Sequence, residues 1–308
     1  MNTTTILVPL DGSKFAECAL PFAIEMADRL SASIELVCVV PDIYAGWKRS
    51  AETFPAEELD SPDLEPSDYL DLAAKWVKTA TSAQVLRTVL TGPAAKQLVT
   101  HSEMQEPALI VMSTHGRGPL RRAWLGSVAD WVVRHASMPV LLVRPEEGAD
   151  VELTNRQEFN NVLVALDGSR QAEESLRWAK AIGGEHPTLT LVRVARNSIP
   201  AWTVDTMHVP SYVDNRDYTK AAHTESTEYL SGVEHLVRNG SQNVASVVVD
   251  GVSAAEGILE TAERKAADLI AITTHGRGGL PRLILGSVAD KVVRASHAPV
   301  LVVRPTRT

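Results

Sequence analysis

Two short stretches hold the residues whose types and spacing point to chemistry. Thr114-His115-Gly116-Arg117-Gly118 is followed by Gly126 and Ser127, with nine residues between Gly116 and Gly126. Thr274-His275-Gly276-Arg277-Gly278 is followed by Gly286 and Ser287 at the same spacing. Glycine reaches positive φ and lets a ligand come close to backbone N–H groups. Where a helix begins, the first N–H groups lack intrahelical partners and the dipole is positive. Gly126-Ser127 and Gly286-Ser287 therefore suit an anion such as a phosphate. Two readings stay open: the serines donate to phosphate, or they cap helices while the glycines only form turns. Asp11-Gly12-Ser13 and Asp167-Gly168-Ser169 each end an apolar run. A carboxylate beside a phosphate cradle suits a nucleotide, accepting from ribose hydroxyls. The competing reading of each Asp is an Asx-turn or helix N-cap.

Other chemistries are excluded by the same inspection. No segment matches G-x-x-x-x-G-K-[ST]. The dinucleotide pattern G-x-G-x-x-G fails at Arg121 in one stretch and at Pro281 in the other. Neither a G-x-S-x-G elbow nor an H-E-x-x-H pair is present. His115 and His275 recur, but a general base needs a poised pKa and a nearby nucleophile. A loop-stabilising hydrogen bond is the expected role. Arg117, Arg121, Arg122, Arg277 and Arg282 either neutralise phosphate charge or are solvated. Any hydrolysis is expected to be slow.

The elements that must hold these stretches follow from a repeat. Leu109 to Pro145 matches Leu269 to Pro305 without a gap at roughly two-thirds identity. Ile6 to Ser13 likewise matches Val162 to Ser169. With 308 residues and about 150 per domain, the chain reads as a duplicated domain, residues 1–147 and 159–308. Residues 148–158 form the linker, within a polar stretch from Glu146 to Asn160 that shows no apolar periodicity. Short apolar runs predict strands at Thr5–Pro9, Ile34–Val40, Gln84–Leu90, Leu109–Met112 and Pro139–Val143. In the second half they fall near Asn161–Leu166, Thr188–Ala195, Val244–Val249, Leu269–Thr273 and Val300–Val303. Helical spacing runs unbroken from Ser13 to Leu30, then near Asp68–Ser82, Ala94–Ser102 and Ser127–Ala136. Alternation of buried strands with helices predicts α/β, two tandem doubly wound domains, each a five-stranded parallel sheet. If the strand order is 3-2-1-4-5, the switch between first and fourth strands brings Asp11 and the loop after Met112 to one crevice. Ser50–Ser67 and Arg196–Tyr218 read as irregular surface loops, or as a lid that binds a partner. Trp131 differs from its counterpart Lys291 and marks a contact peculiar to the first half.

Composition bounds the partners. The net charge of -8 argues against a nucleic-acid binder held by phosphate neutralisation. Two cysteines, Cys18 and Cys38, rule out a disulfide framework or a cysteine-built zinc site. The first residues lack a signal-peptide pattern, and no apolar run nears the roughly 20 residues that span a bilayer. A cytoplasmic setting, with neither membrane nor nucleic acid as partner, is the expectation.

Val8-Pro9-Leu10-Asp11-Gly12-Ser13, the Thr-His-Gly-Arg-Gly stretch, Leu-Gly-Ser-Val-Ala-Asp and the closing Pro-Val-Leu run together resemble the universal stress protein family. The resemblance spans nearly all of both halves. It implies strand order 3-2-1-4-5 and a regulatory module of the stress response. The implied ligand is ATP, with Mg2+ held through the phosphates and not by protein side chains. Adenine and ribose would meet Pro9, Leu10, Asp11 and Val39, and the phosphates Ser113, Gly116, Gly126, Ser127 and Val128, with His115 and Arg117 in the loop. The matching positions are Ala165, Leu166, Asp167, Val194, Thr273, Gly276, Gly286, Ser287 and Val288, with His275 and Arg277. The family's first loop glycine is Ser113 here and Thr273 in the second copy. A side chain there either crowds a phosphate or supplies a hydroxyl in place of a backbone contact. The alternative is an interaction protein of the same fold that binds no nucleotide. An adenine-nucleotide enzyme of related fold is a third reading, without the further motifs it needs. The resemblance also implies that the last strands pair as edges, giving an intramolecular pseudo-dimer, with a homodimer as a further partner arrangement.

Overall fold

Continuous β-branched runs leave no polar face, so the strands they form are covered on both sides. The computed structural model describes residues 4–41, 65–115, 125–145, 151–153, 157–184, 186–195, 215–238, 243–251, 253–274 and 285–305. In the first half the strands are β1 (Thr5–Leu10), β2 (Ser33–Val40), β3 (Val85–Thr91), β4 (Leu109–Ser113) and β5 (Val140–Val143). In the second they are β6 (Asn161–Ala165), β7 (Thr188–Ala195), β8 (Asn243–Asp250), β9 (Leu269–Thr273) and β10 (Val300–Val303). Each lies within a residue or two of its expected span.

The strands run β3-β2-β1-β4-β5 in one half and β10-β9-β6-β7-β8 in the other, in one ten-stranded sheet. Within each half every pairing is parallel. The halves meet at β5 and β10, which pair antiparallel with Val300 opposite Leu142 and Val302 opposite Val140. The order is 3-2-1-4-5 counted within each half, and each half is doubly wound α/β.

Successive strand residues point to opposite faces, and the core divides accordingly. Ile6 and Val8 pack beneath α1 (Lys14–Glu17), α2 (Leu20–Leu30) and α3 (Pro66–Lys78); Leu7 and Ile110 face α4 (Ala94–Gln105) and α5 (Ser127–His135). The second half repeats this with α6 (Arg170–Ile182) and α7 (Asn215–Val237) on one face, and α8 (Ala254–Arg264) and α9 (Ser287–Ala295) on the other. Both apolar layers include residues of the two halves.

Three expectations need correction. The helix from Ser13 to Leu30 is broken after Glu17, and Pro21 lies in the first turn of α2. Proline has no N–H and clashes with the turn before it. The equivalent helix α6 is continuous. The stretch from Glu146 to Asn160 is not wholly solvated: Leu153 and Phe159 are buried and Val151 packs on the core. Phe159 stacks on Phe22 at 6.0 Å between ring centroids. Lastly, the two irregular segments end sooner than expected, because α3 begins at Pro66 and α7 at Asn215. The remainders, 50–64 and 196–214, lie outside the described residues.

Candidate functional site

The reversal of strand order sets the site. β1 has β2 on one side and β4 on the other, so chains leaving β1 and β4 diverge to opposite faces and leave a crevice at their carboxyl ends. Asp11 follows β1, Val39 is near the end of β2, Ser113 ends β4 and Gly126 caps α5. Their counterparts Asp167, Val194, Thr273 and Gly286 occupy the same places about β6, β7, β9 and α9.

After β1 the chain turns through Gly12 at φ 77, and after β6 through Gly168 at φ 88, a region that favours glycine. The Ser13 N–H and hydroxyl both donate to Asp11 Oδ1, at 3.0 and 2.5 Å. Ser13 Oγ in turn accepts from Ala16 N at 3.2 Å, capping α1. Ser169 does the same with Asp167, at 2.9 and 2.6 Å, and with Ala172 N at 3.2 Å. The Asx-turn is thus present in both halves, and the N-cap is the serine rather than the aspartate. Both aspartates remain half-buried.

The cradle is built by backbone. Thr114 N donates to Val143 O at 2.8 Å, and Thr114 O accepts from Gly126 N at 2.8 Å. Thr274 repeats both bonds at 2.9 Å, with Val303 and Gly286. These bonds bring the glycine close to the threonine carbonyl. A Cβ on Gly126 would stand 3.0 Å from Thr114 O, and one on Gly286 2.7 Å from Thr274 O. Each glycine is the N-cap of its helix, and neither helix has a side-chain cap. Ser127 and Ser287 are first-turn residues, exposed, and not caps as one reading of the sequence had them. The first-turn N–H groups are therefore left to solvent or an anion. Val128 and Val288 follow, half-buried.

Ser113 is buried, and its hydroxyl donates to His115 O at 2.5 Å. That proton serves the loop itself. His115 Nδ1 lies 2.9 Å from Thr114 Oγ1, a local bond of the kind expected. Pro9 is half-buried, while Leu10, Ala165, Leu166 and Thr273 are buried. Gly116, Arg117, Arg121, Arg122, His275, Gly276, Arg277 and Arg282 lie outside the described residues. Among the described residues no group of three or more His, Cys, Asp or Glu could hold a metal ion. No helix there is long and apolar enough to cross a membrane.

Two sets of residues at this end were not foreseen. Tyr69 Oη donates to buried Glu17 at 2.9 Å, and Tyr229 Oη donates to Glu173 at 3.0 Å. Burial, then the nearby carboxylate, raises both tyrosine pKa values, and Asp11 and Asp167 add to this. Arg193, buried, lies over the Tyr229 ring at 5.0 Å and lowers this shift. The Cys18 thiol is pushed up to about 12, mainly by burial and further by Glu17. The second set spans α5 and α9, where first-turn Asp130 and Asp290 meet last-turn Arg134 and Arg294. The repeated Asp-x-x-x-Arg spacing was the available signal.

Comparisons with known proteins follow the duplication. A family model described as "Universal stress protein family" matches residues 2–144 and 158–304. A universal stress protein of Mycobacterium tuberculosis is 26% identical over 302 residues, covering 97% of this chain and 96% of its own. A second from that organism is 28% identical over 319 residues, covering 97% and 94%. Among solved structures, a universal stress protein from Archaeoglobus fulgidus covers 99% of each chain at TM-score 0.63 and 20% identity. That last likeness is one of fold.

Proposed function

The chain belongs to the universal stress protein family, in tandem form, and from that premise we propose that it is an adenine-nucleotide-binding regulatory module, taking ATP at each half. One repeated observation carries the reading. At the switch point of both halves, an Asp-Gly-Ser turn lies at the same end as a helix capped by glycine and held to the residue just after the preceding strand by a 2.8 or 2.9 Å bond. The residues fit the group. Asp11 and Asp167 would accept from ribose hydroxyls. The first-turn N–H groups and hydroxyls of Ser127 and Ser287 would donate to phosphate, with Mg2+ held through the phosphate oxygens. Pro9, Leu10 and Val39, or Ala165, Leu166 and Val194, would flank the base. Backbone donors suit a chain with net charge -8, because they bind anions without requiring a basic surface.

Purified protein is expected to release adenine nucleotide on acid treatment, identified by mass, and to bind ATP in calorimetry. Asp11→Ala with Asp167→Ala should weaken binding by about tenfold or more, since each loses charge-assisted hydrogen bonds. A preparation with no bound nucleotide and neither heat nor thermal shift at millimolar ATP would overturn the reading. That result would favour an interaction protein of the same fold, the reading kept open by Ser113 and Thr273 at the first loop position.

A further inference from the structure

The helices that begin at the two cradles are tied to each other across the seam. Arg134 Nε and Nη2 donate to Asp130 at 2.8 and 3.0 Å, one turn earlier on α5. Its Nη2 also donates to Asp290 Oδ1 on α9 at 2.9 Å. Arg294 mirrors this, with Nε and Nη2 donating to Asp290 at 2.9 and 3.1 Å and Nη2 donating to Asp130 Oδ1 at 3.0 Å. The four side chains are each about a quarter exposed. The far ends of the helices are crossed as well. Arg304, after β10, donates to the carbonyls of Val133 and Arg134, and Arg144, after β5, donates to Ser296 O at 3.0 Å. Helix α5 is thus gripped in its first and last turns by arginines of the other half.

This arrangement bears on anion binding. Asp130 is in the first turn of α5, three residues past Ser127. A carboxylate there complements the helix dipole but competes with any phosphate at the same N-terminus. Two arginines neutralise it, and one of them belongs to the other half. Two aspartates and two arginines balance; removing one arginine leaves a net negative charge beside both cradles.

We propose that Arg294 is a positioning residue for the phosphate site of the first half, acting through Asp130, and that Arg134 serves the second half through Asp290. Each site is then incomplete without the other half of the chain. This rests on the nucleotide reading above.

The test uses the full chain carrying Asp167→Ala, so that ATP binding is read at the first half. Arg294→Gln should weaken that binding about three- to tenfold at low salt and less at high salt, as expected for partly exposed charges. Arg294→Lys should restore most of the loss. In an Asp130→Asn background, Arg294→Gln should have little effect, an outcome that a merely structural role would not produce. Melting without nucleotide separates folding damage from lost affinity. The reciprocal arm reads Arg134→Gln at the second half in an Asp11→Ala background, and decides the matter if the first half binds too weakly to measure. Affinities within about twofold of the parent, or lysine no better than glutamine, would overturn the cross-half role alone. A wild-type chain that takes up no ATP would overturn the nucleotide reading, and this inference with it.

Discussion

The two halves share their site-facing ends and differ in the polar groups buried beneath them. The Asp-Gly-Ser turn, the Tyr–Glu bond, the threonine carbonyl holding a capping glycine and the Asp-x-x-x-Arg pair occur in both. The interior of the first half holds a buried His101–Glu35 pair, with Nε2 and Oε1 2.8 Å apart and Thr88 Oγ1 donating to the same oxygen at 2.7 Å. The second half has Thr190 and Thr261 at the equivalent places, and Thr261 Oγ1 donates to Gly257 O within its own helix. On the opposite face, buried Cys38 is answered by buried Arg193, which pairs with Glu225 at 2.8 Å. One fold thus accepts several solutions to a buried polar position while the crevice geometry stays fixed. The difference locates the constraint at the carboxyl ends of the central strands.

That comparison can be broken in three ways. The largest effect is expected from His101→Ala, which leaves buried Glu35 with the Thr88 hydroxyl 2.7 Å from its Oε1. Its cost should be about 3 kcal/mol in urea unfolding, against about 1 kcal/mol for Thr261→Ala. Equal costs would mean that the His101–Glu35 pair contributes no more than a single neutral hydrogen bond. Next, Gly286→Ala should destabilise more than Gly126→Ala, by about 2 against about 1 kcal/mol. The new Cβ meets a backbone carbonyl at 2.7 Å in one half and 3.0 Å in the other. The reverse order would show that the two cradles do not relax alike.

At neutral pH the smallest effect concerns the thiols, both of which are in the first half. Cys18 has its pKa raised from 9.0 to about 12. Between those values the folded state keeps a proton that the unfolded state has released. The unfolded state binds fewer protons there, so stability falls as pH rises from about 9 to about 12 and is complete below about 9. Native Cys18, half-buried and held as the neutral thiol, should react slowly with thiol reagents at pH 8. Labelling of Cys18 in the folded chain as fast as that of a free thiol would contradict the raised pKa.

Much of this was legible because parallel strands buried on both faces read as unbroken apolar runs, and the repeat showed each of them twice. Gly126 and Ser127 were singled out by glycine spacing, and Asp11 by its place at the end of the first apolar run, each with its counterpart in the repeat. What escaped depends on contacts distant in the chain. Tyr69 and Glu17 are 52 residues apart, Tyr229 and Glu173 are 56, and His101 and Glu35 are 66. Periodicity does not report such pairs. The break after Glu17 was missed because the apolar spacing continues through Pro21, whose missing N–H overrides it. Phe159 was passed over because a single aromatic in a polar stretch has no period, yet Phe22 gives it a partner.

The antiparallel junction of β5 with β10 has a genetic consequence. Had two identical chains met along this edge, every substitution near it would appear twice, facing itself across a twofold axis. With both partners encoded in one chain, each position can change alone. Trp131, stacked on His135 with ring centroids 3.9 Å apart, and its counterpart Lys291 are such a pair of unlike positions. An exposed aromatic stands on one side of the junction and a cation on the other. This surface is therefore directional, and whatever approaches it meets a left that differs from its right.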